Sequence, residues 1–205
     1  MESAPLVSSS LDEETARAEI YGLLSALYYA PPSADLIDRL RVAVTEAPAA
    51  GALLEGSWSE VVASARQLEP SAIGQEFDAL FGGVGRPEIY VFGSHYLSGF
   101  LNEKPLAALR ADLAELGLGR DDTMSETEDH FAYVCEVMRY LIAGDDVAVA
   151  NLTRQREFFA RHVQPWAHLM CDAISAHPKA VFYAALAAFT QAFLSVEAQG
   201  FDMLA

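Results

Sequence analysis

The fold class is decided first by residues 20–28, Ile20-Tyr21-Gly22-Leu23-Leu24-Ser25-Ala26-Leu27-Tyr28. Their apolar side chains recur three and four positions apart, a spacing that places one continuous apolar stripe on an α-helix. Ser10 with Glu13 forms a capping-box pattern that predicts the start of this helix. Pro31 and Pro32 predict its end, because proline cannot continue a helix.

The same helical spacing continues along most of the chain. Three strong stripes lie on residues 131–141, 159–174 and 182–196, and Pro165 is expected to kink or split the second one. Weaker patterns cover residues 34–46, 58–68, 71–82 and 105–117. We predict an all-α protein, a single compact bundle of about eight or nine helices with no convincing sheet. Residues 11–205 are expected to form this one domain, behind a flexible N-terminus at residues 1–10.

The composition is strongly acidic: among 205 residues, 29 Asp and Glu against 13 Lys and Arg give a formal net charge of −16. This charge disfavours nonspecific binding to nucleic acid or anionic lipid. Hydrophobic residues make up 52%, too many for a disordered acidic protein. No apolar run reaches the roughly 18 residues of a membrane span. The N-terminal residues lack a secretory-signal pattern, so a cytoplasmic protein is expected.

One long segment, residues 83–104, breaks the helical pattern. It carries four glycines and the aromatic residues Tyr90, Phe92, Tyr96 and Phe100. Irregular connections of this length are uncommon inside compact domains and are often binding loops. A packed crossover with the aromatic rings in the core, and a short strand at Ile89 to Phe92, is the equally weighted alternative.

The densest chemical signal is Ser125-Glu126-Thr127-Glu128-Asp129-His130, predicted to open the helix that carries the Phe131 stripe. Eight acidic residues and one basic residue lie between Asp121 and Asp146. On a helix continued through the motif, Asp129 would project away from the apolar stripe and His130 would lie at its boundary. Acidic side chains also suit a helix N-terminus for purely structural reasons, because they interact favourably with its dipole.

The remaining sequence supplies no recognised catalytic or metal-binding pattern. The histidines lack HxxxH or HExxH spacing, and the two cysteines, Cys135 and Cys171, sit in apolar helical patterns typical of buried, unpaired thiols. No GxSxG nucleophile elbow appears, and Gly82-Gly83-Val84-Gly85 lacks the Lys and hydroxyl residue of a phosphate loop. We therefore expect no metal, no cofactor and no enzymatic activity.

A recognition surface is the remaining interpretation. Phe77, Leu80 and Phe81 share one helical face directly before the glycine-rich segment. Apolar side chains next to the acidic motif would complement a peptide with a basic end and an apolar run. For each of these three residues taken alone, a place in the core is at least as plausible.

The order of these features resembles the TorD/DmsD-like redox-enzyme maturation chaperones, which are related to the NarJ-type nitrate reductase assembly proteins. The landmarks are residues 21–28, the segment 76–81 followed by glycines and Pro87, the motif 126–130, and residues 158–166 with Phe159, His162 and Trp166. They extend over most of the chain. One departure is Thr127, where the family motif commonly has proline.

The resemblance implies a cytoplasmic, all-helical TorD-like chaperone of anaerobic respiration. Such a protein binds the twin-arginine signal peptide, and often the body, of an apo-molybdoenzyme catalytic subunit until its cofactor is inserted and before export. It implies no nucleic-acid partner, no stable membrane insertion, and a monomer or homodimer. The family's peptide-binding residues would correspond here to Phe77, Leu80, Phe81, Pro87, Tyr90, Glu126, Asp129 and His130.

Two other classes of function stay open at this point. One is a small helical enzyme that uses Asp129 and His130 as an acid–base pair. The other is a generic helical protein-interaction module without a redox-enzyme client.

Overall fold

The computed structural model describes residues 7–45, 53–82, 86–121 and 123–203. Ten helices lie in these ranges, and the all-α prediction is confirmed. They are α1 (Val7–Tyr29), α2 (Ala34–Arg41), α3 (Glu55–Gln67), α4 (Pro70–Leu80), α5 (Gly93–Ser98), α6 (Lys104–Glu115), α7 (Phe131–Ala143), α8 (Leu152–His162), α9 (Ala167–Ser175) and α10 (Phe182–Asp202).

The centre of the bundle is made by α1, α7 and α10. The most extensive packing joins α1 to α7, and α10 packs against both α9 and α3. Tyr28 of α1 meets Phe131 of α7 edge to face, with ring centroids 5.1 Å apart, and Tyr21 meets Phe193 of α10 at 4.9 Å. All four rings are buried, so the stripe that decides the fold in sequence faces the core.

A buried ion pair adds a polar link between the first and last helices. Arg17 of α1 donates two hydrogen bonds to the Glu197 carboxylate of α10, at 2.6 and 2.9 Å. The Tyr21 hydroxyl donates a third, at 3.1 Å. Because the acid is buried, these donors replace the water that its charge loses on folding.

Several helix boundaries follow the proline and glycine signals. The first helix ends at Tyr29, two residues before Pro31, and Pro105 lies in the first turn of α6. Pro165 separates α8 from α9, so the predicted interruption is a complete break. The start of α1 differs from the prediction: the helix begins at Val7, within the predicted flexible segment 1–10 and before Ser10. Residues 1–6 lie outside the described residues.

The predicted start of α7 is wrong. The helix begins at Phe131 and its N-cap is His130, so the acidic motif 125–130 precedes the helix instead of forming its first turns. The bend and turns of this motif end in a single antiparallel bridge between His130 and Phe92. Within the described ranges this bridge is the one β-type pairing. A short strand at residues 89–92, the alternative considered for this segment, does not form.

The segment 83–104 is more regular than predicted, because residues 93–98 form helix α5. Its helical propensity is poor, but tertiary contacts supply what the local sequence lacks. The Asp129 side chain accepts a hydrogen bond from the N–H of Ser94 in the first turn, and Gly93 lies against Trp166. Of the described helices, none is both long and apolar enough to cross a membrane.

Candidate functional site

The acidic motif and the aromatic segment before α5 are joined by backbone hydrogen bonds. The N–H of Phe131 donates to the carbonyl of Val91 at 2.8 Å, and the N–H of Gly93 donates to the carbonyl of Asp129 at 2.9 Å. These bonds flank the bridge between Phe92 and His130. The two regions that the sequence singled out separately therefore form one substructure.

Asp129 lies inside this substructure, not on an exposed helix face. Its side chain is 3% exposed. One carboxylate oxygen accepts the N–H of Ser94 at 2.8 Å, and the other accepts the hydroxyl of Thr127 at 2.6 Å. Thr127, the departure from the family motif, thus satisfies half of the buried carboxylate. The predicted outward projection of Asp129 is wrong because the residue precedes the helix.

His130 is also buried, with 4% of its surface exposed. Its Nδ1 accepts a hydrogen bond from the N–H of Ala132 at 3.1 Å, so the imidazole caps α7. Burial lowers the pKa of His130 to about 4, although the negative charge of Asp129 opposes this effect. The imidazole is therefore neutral near pH 7. No hydrogen bond joins it to the Asp129 carboxylate among the described contacts, so the geometry does not favour an acid–base pair.

The two glutamates of the motif have different environments. Glu128 forms an ion pair with Arg110 of α6 at 2.8 Å. Burial raises the pKa of Glu128, but the hydrogen bond from Arg110, a backbone hydrogen bond and the positive charges of Arg110 and Arg120 together outweigh it, so the net pKa lies below its usual value. Glu126 is half-buried, and within the described residues no ion pair involves it. Its carboxylate is the motif's available charge at the surface.

The apolar residues predicted to receive a peptide are largely core residues. Phe77 is 8% exposed and Leu80 is fully buried. The Phe81 ring is half-buried, and its centroid lies 5.1 Å from that of Phe77 and 5.0 Å from that of Tyr183. Phe77 and Leu80 therefore lie in the core, the alternative place named for them, whereas Phe81 is partly covered by its packing against Tyr183 of α10.

Pro87 and Tyr90 lie closer to the surface, in the extended segment before α5. Side chains alternate there: Ile89 and Val91 are buried, whereas Tyr90 and Phe92 are half-buried. This is the two-residue period of an extended chain, so Tyr90 and Phe92 share the outer side. The ring of Tyr90 stacks on His95 with centroids 4.2 Å apart. Pro87 is half-buried two residues before the alternating segment.

The structure adds aromatic residues that the sequence interpretation missed. The His130 ring lies 5.0 Å from Phe92, 5.6 Å from Tyr133 and 6.2 Å from Tyr29. We call these four residues the aromatic row. Tyr29 is 43% exposed, and its hydroxyl lies 3.5 Å from that of Tyr133. In the sequence, Tyr29 is marked only as an aromatic residue off the core stripe, because it directly follows Tyr28 at the end of α1.

Glu126 lies at the Tyr133 end of the aromatic row. Burial raises the pKa of Tyr133 to about 12, the nearby Tyr29 hydroxyl adds to this effect, and the Glu126 charge acts in the same direction. The arrangement is therefore a group of three partly exposed rings around the buried His130 ring, with a carboxylate beside Tyr133. It can receive a planar cation by stacking and by ion pairing, and it provides no nucleophile aligned with a base.

The described part of the chain shows neither a metal-binding cluster nor a reactive thiol. No group of three His, Cys, Asp or Glu side chains there is arranged to hold a metal ion. Cys135 and Cys171 are free and buried. Burial raises the pKa of Cys171 to about 12 and that of Cys135 well above its ordinary value, which leaves both thiols protonated and unreactive.

Comparison with known proteins agrees with this arrangement. A family model described as the nitrate reductase delta subunit matches residues 46–172, more than half of the chain. The protein belongs to this family. The match includes α3 to α8 and the substructure around Asp129, whereas Tyr29 of the aromatic row precedes it.

Full-length relatives extend the similarity over nearly the whole chain. A protein named Chaperone protein TorD from Vibrio cholerae serotype O1, strain O395, is 26% identical over 204 residues, which covers 92% of this chain and 93% of the relative. The protein of the same name from strain M66-2 is 25% identical over the same extent. The predicted membership of the TorD/DmsD-like family is confirmed.

Proposed function

We propose that this protein is a cytoplasmic chaperone that binds the twin-arginine signal peptide and the body of an apo-molybdoenzyme catalytic subunit, and supports cofactor insertion and assembly before export. Membership of the nitrate reductase delta subunit family and the relatives named as chaperones support the general role. The observation that carries the peptide-binding part is the aromatic row ending at Glu126, the half-buried carboxylate without an ion-pair partner among the described residues.

The chemistry of the row suits arginine in particular. A guanidinium group is planar, stacks on aromatic faces and offers paired donors to a carboxylate. Tyr29 and Tyr133 present rings beside Glu126, so one arginine can stack while the next one pairs. A cation over an exposed ring contributes about 0.5–1 kcal/mol, and an exposed ion pair contributes about 0.2–1 kcal/mol. The row therefore orients the basic end, and most of the affinity must come from apolar contacts.

The predicted site residues divide into three roles in this proposal. Glu126, Pro87 and Tyr90 are close enough to the surface to contact the peptide directly. Asp129 and His130 position the motif through the start of α5 and the start of α7. The remaining three support the surface from below: Phe77 and Leu80 of α4 lie in the core, and Phe81, the C-cap of α4, packs against it.

Calorimetry with a synthetic peptide tests the proposal. The peptide carries two consecutive arginines followed by an apolar stretch, and its control carries two glutamines in place of the arginines. Glu126→Gln and Tyr29→Leu are each expected to weaken binding of the arginine peptide about two- to fivefold. The matched control is Glu115→Gln, an exposed acid on α6 outside the motif, which should bind as wild type does.

Two results would overturn the peptide-binding proposal: no measurable binding of the arginine peptide by the wild-type protein, or equal affinity for the arginine and glutamine peptides. Binding to the enzyme body requires a separate measurement. Co-purification from anaerobically grown native cells should yield a molybdenum oxidoreductase catalytic subunit lacking its cofactor. Recovery of the cofactor-loaded subunit at the same yield would argue against a role before insertion.

A further inference from the structure

A second apolar surface lies next to the aromatic row, on the outer side of α7. It is a groove of about 290 Å³, close to the lower limit of roughly 300–1,000 Å³ for small-molecule pockets. Its walls are the C-terminal end of α6, the connection that follows it, and one face of α7. The apolar lining consists of Leu113, Leu118, Met124, Tyr133, Val137 and Tyr140.

The α7 wall of the groove is distinct from the face of this helix that packs in the core. Tyr133, Val137 and Tyr140 are spaced at i, i+4 and i+7 and so share one face. Another face, with Phe131, Cys135 and Met138 among its residues, is buried in the bundle. Tyr140 is 39% exposed. Val137 packs against the edge of the core, whereas Tyr140 is open to solvent, so this second apolar face is only partly covered within the bundle.

The two acidic side chains at the rim of the groove already have ion-pair partners within the protein. Glu128 pairs with Arg110 at 2.8 Å, and Glu136 pairs with Arg139 at 2.7 Å. Arg120 donates a hydrogen bond to the backbone carbonyl of Met124. Among the described residues, the rim therefore holds no unpaired acid, and the one remaining charge is the exposed guanidinium of Arg120, whose Met124 acceptor is neutral. The floor of the groove itself is apolar. The groove therefore fits an uncharged, apolar occupant.

Tyr133 belongs both to the aromatic row and to the groove, so the two surfaces are continuous. The seven steps from Tyr133 to Tyr140 rise about 10 Å along α7, enough to contact two helical turns of a peptide. The combined surface carries the Glu126 charge at one end, and its apolar part extends from there along α7. This order matches a peptide whose basic residues come immediately before an apolar run.

We propose that the groove between α6 and α7 binds the apolar segment that follows the arginines of the client's signal peptide. This inference rests on the proposed function and adds a location and a direction to it: the arginines lie at Glu126, and the apolar segment extends along α7 towards Tyr140. It also moves the apolar contact away from the core residues Phe77 and Leu80 and from Phe81, which is half-buried against the core.

Photo-crosslinking locates the apolar segment directly. A benzoylphenylalanine residue is placed in the apolar run of the synthetic arginine peptide, and the linked residues are identified by mass spectrometry. The expected crosslinks fall on residues 113–124 and on the outer face of α7. Crosslinks on α4 or around Tyr90, with none in the groove, would overturn the inference.

Two substitutions test the energetic contribution of the groove. Val137→Asp places a charge on its floor and should weaken binding of the arginine peptide about tenfold or more, with a less negative heat capacity of binding. Tyr140→Ser, at a more exposed position, should act in the same direction and guards against misfolding of the first variant. The matched control is Val147→Asp, at an exposed valine outside the groove lining, which should bind normally.

The outcomes separate this inference from the proposed function. If wild type binds and Glu126→Gln weakens binding, but Val137→Asp and Tyr140→Ser bind normally, the groove assignment fails and the proposed function stands. If wild type does not bind the arginine peptide, the proposed function fails. If light scattering shows a dimer that Val137→Asp dissociates while peptide affinity is unchanged, the groove is an interface between two copies and the inference is overturned.

Discussion

The carboxylate of Asp129 accepts a hydrogen bond from the backbone N–H of Ser94, 35 positions earlier in the chain, at 2.8 Å. It thereby gives α5 the N-terminal acceptor that its own N-cap, Phe92, does not provide. The same carboxylate is bonded to Thr127, so a single buried side chain connects the acidic motif to the aromatic segment. The proposed binding surface depends on this connection even though Asp129 is not itself exposed.

Replacing Asp129 should therefore change stability first. Asp129→Ala leaves the Ser94 N–H without its charged acceptor, and we expect a loss of about 2–4 kcal/mol in the free energy of unfolding, measured by urea denaturation. Glu126→Gln, in the same motif but without these bonds, should change it by less than about 0.5 kcal/mol. A normal urea midpoint for Asp129→Ala, together with lost peptide binding, would instead assign Asp129 to direct contact.

Glu76 joins α4 to the start of α10 and should be a second stabilising acid. Its carboxylate accepts three backbone N–H groups, those of Val181 at 2.8 Å, Phe182 at 3.1 Å and Tyr183 at 2.8 Å. These donors otherwise lack a partner at a helix N-terminus. Glu76→Ala should lower the free energy of unfolding by about 1–2 kcal/mol, as for other lost caps.

The neighbouring exposed residue on α4 provides the control for this cap. Gln75→Ala keeps the helix and removes no backbone acceptor, so thermal unfolding should match that of wild type within a degree or two. Equal melting temperatures for Glu76→Ala and Gln75→Ala would show that the contacts to α10 add nothing to stability.

Buried His130 should make the folded state less stable in mild acid. Its pKa is about 4 in the folded protein and about 6.5 when exposed in the unfolded chain, so the unfolded state binds more protons between these values. Stability present above pH 6.5 is lost as the pH falls towards 4. The contribution of this residue amounts to about 2 kcal/mol between pH 7.5 and 5.

Urea unfolding at pH 7.5 and 5.0 measures this effect in variants. His130→Asn keeps a side-chain acceptor for the α7 cap but cannot titrate, so its stability should fall less on acidification than that of wild type. His168→Asn, at an exposed histidine, should retain the wild-type pH dependence. The same acid sensitivity in all three proteins would place the responsible group elsewhere; His162, whose pKa is also lowered by burial, would be the next to examine.

Gly93 should tolerate no side chain. A Cβ at this position would lie 3.0 Å from both Cε2 and Nε1 of Trp166, whose indole N–H donates to the carbonyl of His162 at 2.7 Å. Gly93→Ala is expected to shift this ring and to cost about 1–3 kcal/mol. Gly56→Ala, inside α3 and facing open space, should instead raise stability by up to about 1 kcal/mol. Thermal unfolding of the two variants tests this prediction. Changes in melting temperature of opposite sign would confirm it, and changes of the same sign would contradict it.

Much of the site could be located from the sequence, but not how it works. The motif 125–130 and the segment around Tyr90 were both singled out, and the structure brings them together. The predicted orientation of Asp129 is wrong because it extends helical periodicity five residues too far, to Ser125 instead of His130. Phe77 and Phe81 were placed on the correct shared face, but spacing alone cannot tell whether a helix face meets solvent or another helix.

The sequence by itself determined the features that depend on neighbouring residues. Apolar periodicity specified the helices, and Pro31 and Pro165 specified where two of them stop, because these effects act within a few positions along the chain. The tertiary structure alone decided that Asp129 and His130 are buried, that α5 is helical, and that Tyr29 meets Tyr133. Each of these depends on contacts between residues tens of positions apart, and their energy is gained only when the helices pack.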